Sequence, residues 1–76
     1  MIRVTVTYYA SLREARGCSE EQLETAASTP AELLSELDLP LAQAHLRASV
    51  NHAFVGWDHR LQAGDVVSFV PPVAGG

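Results

Sequence analysis

Residues 2–8 read Ile-Arg-Val-Thr-Val-Thr-Tyr, with Ile2, Val4, Val6 and Tyr8 alternating against Arg3, Thr5 and Thr7. A two-residue period over β-branched and aromatic side chains predicts a half-buried strand, because successive side chains point to opposite faces of a sheet. Such a strand cannot stand alone: one face needs a cover and both edges need partners. The rest of the chain has to supply them within 76 residues, which allows one small domain and one core. With 47% apolar residues there is material for that core without metals or staples.

The cover is legible in the middle of the chain. Thr29-Pro30-Ala31-Glu32 combines a capping hydroxyl, a proline pre-set for the first helical position and an acid able to close a capping box. Leu33, Leu34 and Leu37 then follow at helical spacing, and Pro40 limits the helix just beyond Asp38. Ser11 to Arg16 reads as a short helical turn stopped by Gly17. Leu41 to Arg47 reads as another short helical piece. Cys18 to Ala27 is ambiguous: Ser19-Glu20-Glu21-Gln22 resembles a capping box, whereas a strand pairing back on the first fits the length. The strand is chosen. Ala48–Asn51 and Ala53–Trp57 read as short strands around a turn at Asn51-His52. After turn signals at Asp58-His59-Arg60 and Ala63-Gly64-Asp65, Val66–Val70 is an apolar run suited to a strand buried on both faces. The order β-turn-β-α-β-β-β predicts an α+β fold, a small mixed sheet with one main helix packed across it.

Composition narrows the function. The net charge is −4 and the only cations besides histidine are five scattered arginines, which argues against nucleic acid as a direct ligand. An acidic domain fits a basic protein surface instead. One cysteine, Cys18, excludes an internal disulfide, and no apolar run approaches a membrane span, so a cytoplasmic protein is expected. The chain contains no lysine. A general preference for arginine accounts for that; equally, an activated acyl group would meet no ε-amine in its own chain. Either way the protein cannot build lysine-linked chains of itself.

Other constellations are read as structural. His45, His52 and His59 are seven apart, but turn signals at Asn51 and Gly56 break any helix that would align them, so no metal site is expected. Cys18, flanked by Glu20 and Glu21, lacks the electropositive surroundings of a reactive thiol. Trp57 is assigned to packing.

The last six residues are Pro71-Pro72-Val73-Ala74-Gly75-Gly76. The prolines end strand pairing and stiffen the exit from residues 1–70, so residues 71–76 are expected to leave the domain as an extended tail. Such a tail reaches at most ~20 Å at ~3.3–3.6 Å per residue. Gly75 and Gly76 lack Cβ atoms and fit a narrow channel. A carboxylate at Gly76 would be a reactive handle, open to adenylation and then to attack by sulfur or an amine.

Three stretches carry a resemblance to a known family. They are Tyr8-Tyr9-Ala10-Ser11-Leu12-Arg13-Glu14, Thr29-Pro30-Ala31-Glu32-Leu33-Leu34, and the closing run from Val50-Asn51 through Gly64-Asp65-Val66-Val67 to the Pro-Pro-Val-Ala-Gly-Gly tail. The chain resembles the MoaD/ThiS family of ubiquitin-like sulfur carriers, and within it the small subunits of molybdopterin synthase. The resemblance implies a β-grasp fold. It implies that an E1-like (MoeB-like) enzyme uses ATP to adenylate Gly76, and that a sulfur donor protein converts it to a thiocarboxylate. It further implies that the tail enters a large (MoaE-like) subunit, which holds the acid–base groups, while this chain donates sulfur to cyclic pyranopterin monophosphate. Two transfers build the dithiolene of the molybdenum cofactor. No cofactor is implied to stay bound to this chain. The family's interface positions fall on Tyr9, Phe54 and Val70; a large aromatic is usual where Val70 stands. Carriers for thiamin, cysteine or tRNA thiolation, and a protein modifier conjugated through Gly76, are the alternatives. The Pro-Pro pair favours the molybdopterin version over the thiamin one.

Overall fold

Ile2–Tyr8 forms the first strand, β1, and its alternation is realised: Val4, Val6 and Tyr8 are buried while Thr5 and Thr7 face the other way. The computed structural model describes residues 1–71. The remaining elements are α1 (Ala10–Arg16), β2 (Glu20–Thr25), α2 (Pro30–Leu37), a 3₁₀ turn at Gln43–His45, β3 (Arg47–Val50), β4 (Ala53–Val55) and β5 (Val66–Val70). The five strands form one sheet in the order β2-β1-β5-β3-β4. β5 sits at its centre, parallel to β1 and antiparallel to β3.

Gly17, at φ 77°, ends α1 by donating its N–H to the Arg13 carbonyl. The ambiguous segment is a strand. Its register against β1 pairs Val4 with Leu23 and Val6 with Glu21, and β1 supplies the hydrogen bonds that the apparent capping box would have replaced. α2 begins as read: Thr29 Oγ1 accepts from the Glu32 N–H at 3.2 Å and Pro30 occupies the first turn. The Glu32 carboxylate accepts from the N–H and hydroxyl of Ser28, one residue before the cap, at 2.7 and 2.9 Å. Those bonds hold its carboxyl below the usual range.

Three features differ from expectation. The helical piece over Leu41–Arg47 shrinks to the 3₁₀ turn, because Arg47 pairs with Val70 and belongs to β3. The strand expected over Ala53–Trp57 stops at Val55, where Gly56 and Trp57 turn away from β3. β5 is fully buried only at Val67, Ser68 and Phe69; its ends, Val66 and Val70, are partly exposed.

The core lies between one sheet face and α2. Val4, Val6, Tyr8, Val67 and Phe69 meet Leu33, Leu34, Leu37 and Leu12 of the helices. Trp57 packs there as read, stacked on Phe69 with centroids 5.9 Å apart. No described helix is long and apolar enough to cross a membrane.

Candidate functional site

Among the described residues, no helix covers the face of the sheet turned away from α2. Its side chains follow from the pleat: whatever alternates with a core residue points outward. The register aligns Thr7, Ser68, Ser49 and Phe54 in one row across β1, β5, β3 and β4, with Val70 opposite Arg47 in the next row. The middle of this face is therefore small and hydroxylic while its rim is tall. Tyr9, Phe54, Val70 and His52 stand around Ser49 and Ser68, and together they line a shallow depression of about 270 Å³. Ser49 and Ser68 are buried on its floor, whereas Tyr9 is 45% and Phe54 56% exposed. Those two rings are not core residues; they are apolar surface on a chain whose core is complete without them.

Two backbone turns shape the rim. Ala10, at φ 50°, takes the chain sharply out of β1, which leaves Tyr9 on the outer face before α1 begins. Asn51 and His52, at φ 52° and 71°, close the β3–β4 hairpin in the left-handed region that two-residue hairpin turns use. Asn51 is tied to the start of β5: its Oδ1 accepts from the Val66 N–H at 2.9 Å and its Nδ2 donates to Asp65 Oδ1 at 3.1 Å. This pins the hairpin to the central strand, and with it the positions of Phe54 and His52. Val70 closes the depression as the last residue of β5, and Pro71 follows it. The chain thus leaves the sheet at the edge of the apolar face.

On the opposite side, one polar cluster joins α1 to the sheet. The Tyr8 hydroxyl donates to Glu21 Oε1 at 2.8 Å, Arg16 pairs with the same carboxylate, and the Arg16 guanidinium lies 5.7 Å from the Tyr8 ring centroid. The Tyr8 bond, and then the Arg16 contact, hold the Glu21 carboxyl below its ordinary value. Burial, then the bond to Glu21, pushes the Tyr8 phenol upward. A group whose folded pKa is depressed contributes stability above its unfolded value and loses it as pH falls through the folded one. Glu21→Gln is expected to cost about 1 kcal/mol at neutral pH, a charged hydrogen bond discounted for its partial exposure. In thermal melts the gap to wild type should close as pH drops below the ordinary glutamate range near ~4.3. A gap that stays constant into acid would rule this account out. Cys18 sits at the edge of the cluster, its Sγ 4.0 Å from Glu21 Oε2.

The ThiS family matches residues 6–76. The chain belongs to that family. A molybdopterin synthase sulfur carrier subunit of Escherichia coli is 35% identical over 96% of this chain and 99% of its own length. Among solved structures, a Pyrococcus furiosus protein provisionally assigned as subunit 1 of molybdopterin converting factor superposes with a TM-score of 0.77. It is 27% identical and covers 96% of this chain and 100% of its own. Small archaeal modifier protein 1 of Haloferax volcanii shares the fold at a TM-score of 0.79 and 19% identity, covering 96% and 100%. A complex of subunits 1 and 2 of the Helicobacter pylori molybdopterin-converting factor matches at a TM-score of 0.62 and 22% identity, covering 99% and 100%. The ThiS-family architecture here is the ubiquitin-like β-grasp.

Within this ThiS-family chain the structure brings Tyr9, Phe54 and Val70 to one depression, Val70 being followed directly by Pro71. Pro71 is the last described residue; Pro72, Val73, Ala74, Gly75 and Gly76 lie outside the described residues. Ser49 and Ser68 line the same depression and are not singled out by the sequence; His52, weighed there only as a turn residue and metal ligand, stands beside them. The signal of the two serines is cross-strand: each is ordinary locally and meaningful only beside its partner in register. The described residues hold no cluster of three metal-ligating side chains, and His45, His52 and His59 are dispersed over a 3₁₀ turn, a hairpin tip and a loop.

Proposed function

We propose that this chain is the sulfur-carrier subunit of a molybdopterin synthase. The observation that carries the reading is the near-full-length similarity to the Escherichia coli carrier subunit. The structure supports it with a rigid β-grasp body whose exposed apolar depression adjoins the exit of the tail. The body presents; the tail reacts. An E1-like, MoeB-like enzyme transfers the adenylyl group of ATP to the Gly76 carboxylate and releases pyrophosphate. Sulfide delivered by a donor protein then attacks the acyl carbon as HS⁻, the C–O bond to AMP breaks, and AMP leaves behind a thiocarboxylate. Tyr9, Phe54 and Val70 dock on the large, MoaE-like subunit, and Pro71, Pro72, Val73, Ala74 and Gly75 carry the sulfur into its active site. There it passes to cyclic pyranopterin monophosphate, with the acid–base groups supplied by the large subunit. The setting is cytoplasmic.

Intact-mass spectrometry of the protein incubated with ATP, sulfide and its activating enzyme tests the reading. The expected product is heavier by the difference between one sulfur and one oxygen, forms only with ATP, and converts the pterin precursor when the large subunit is added. Charging without pterin conversion would move the assignment to another thiolation pathway. High-mass conjugates in extracts, in place of a free carrier and a single complex, would move it to a protein modifier.

A further inference from the structure

Charge is unevenly spread over the outer face of the sheet. Glu20 and Glu24 lie along the β2 edge, with Arg3 paired to Glu24. On the far side, three strand spacings of ~4.8 Å away, Arg47 of β3 extends over Phe54, its guanidinium carbon 3.8 Å from the ring centroid. Arg47 pairs in register with Val70, so it borders two of the three apolar rim residues. None of the six residues lining the depression is acidic, in a chain with nine acidic residues. Among the described residues Arg47 makes no ion pair, unlike Arg3 and Arg16.

A guanidinium held over an aromatic ring has already lost much of its rotamer freedom and part of its water. Both losses are normally charged to binding, so this cation is pre-organised for a partner group. Its planar fork matches a carboxylate through two parallel hydrogen bonds. Resting on the proposed docking of the large subunit, we infer that Arg47 is the charge reader of the interface. The partner places an Asp or Glu carboxylate against the Arg47 guanidinium while an apolar side chain fills the depression between Tyr9, Phe54 and Val70. The rest of this acidic domain favours a basic partner surface, so a carboxylate at this one place opposes the general charge pattern. That inversion fixes the orientation of docking and penalises partners that are uniformly basic.

The competing account is that Arg47 only shields Phe54 from water, a task its aliphatic stem performs without the charge. Calorimetric titration of the full chain with the large subunit of its own synthase, at low and high salt, separates the two. Three variants are compared: Arg47→Glu, Arg47→Met, and Arg60→Glu, whose guanidinium lies by Ser28 on the helix side. Arg47→Glu is expected to weaken Kd by at least about 30-fold, and Arg60→Glu by no more than about 3-fold. Arg47→Met keeps the stem and the fold; it is expected to bind about 10-fold more weakly, with a shallower dependence on salt. Wild-type affinity or an unchanged salt slope in Arg47→Met overturns the inference and leaves the carrier function standing. A wild-type chain that does not bind the large subunit at all overturns both. An Asp or Glu→Arg change on the large subunit that restores binding to Arg47→Glu would identify the carboxylate.

Discussion

Deleting Gly75 and Gly76 is expected to abolish sulfur charging while leaving the melting temperature within about 2 °C of wild type. The stability half follows from where the core ends: every buried residue among the described ones precedes Val70, and β5 closes there. The chemical half follows from reach. The shortened chain still ends in a carboxylate, now on Ala74, so the reacting group is not removed. For the extended tail proposed above, it is withdrawn by ~7 Å. A displacement of 1 Å at a reacting centre can cost ~100-fold, so a retreat of several ångströms takes the carbonyl carbon out of the adenylating site altogether. Gly76→Ala keeps the length and adds one methyl group, and should leave measurable but slower charging. Thiocarboxylate on the truncated chain at wild-type rate would refute the idea that the tail acts as a measured probe; a large fall in melting temperature would refute the separation of tail from body.

Which parts of the molecule can be read in advance depends on how far away in sequence their partners lie. β1 and α2 were legible because their signals are local: a period of two over β-branched residues, and a cap, a proline and three leucines at helical spacing. β2 was legible only as an ambiguous segment assigned to a strand, because its core-facing positions include the polar Glu21 and Thr25, which are bonded to the distant Tyr8 and to Glu36 of α2. Nothing in residues 18–27 announces those partners. The start of β3 was missed for the same reason, since Arg47 joins the strand through Val70, more than twenty residues away. The candidate site divides in the same manner. Tyr9, Phe54 and Val70 came from the family resemblance. The two serines between them could have been found only by noticing that Ser68 alternates with Val67 and Phe69, and so must lie on the opposite face of β5.

The alternation at the end of β5 also yields the largest expected effect on folding. Phe69 is fully buried, stacked on Trp57 and paired with Tyr8 and Ala48 on the central strand. Phe69→Ala should cost about 3–5 kcal/mol from lost burial and the cavity left behind, and the lost ring pair adds about 1 kcal/mol. A domain of this length has a total stability on the order of 4–11 kcal/mol, so the variant is expected to be largely unfolded at physiological temperature. Val70, the next residue, points to the outer face and is only partly buried, so Val70→Ala should cost less than about 1 kcal/mol and weaken docking instead. Denaturation followed through Trp57 fluorescence measures both variants in one experiment, because Trp57 is the sole tryptophan and rests on the mutated ring. A cooperative transition for Phe69→Ala within a few degrees of wild type would mean that the core does not depend on β5. Equal losses from both substitutions would mean that the two faces of the strand are not divided between folding and recognition.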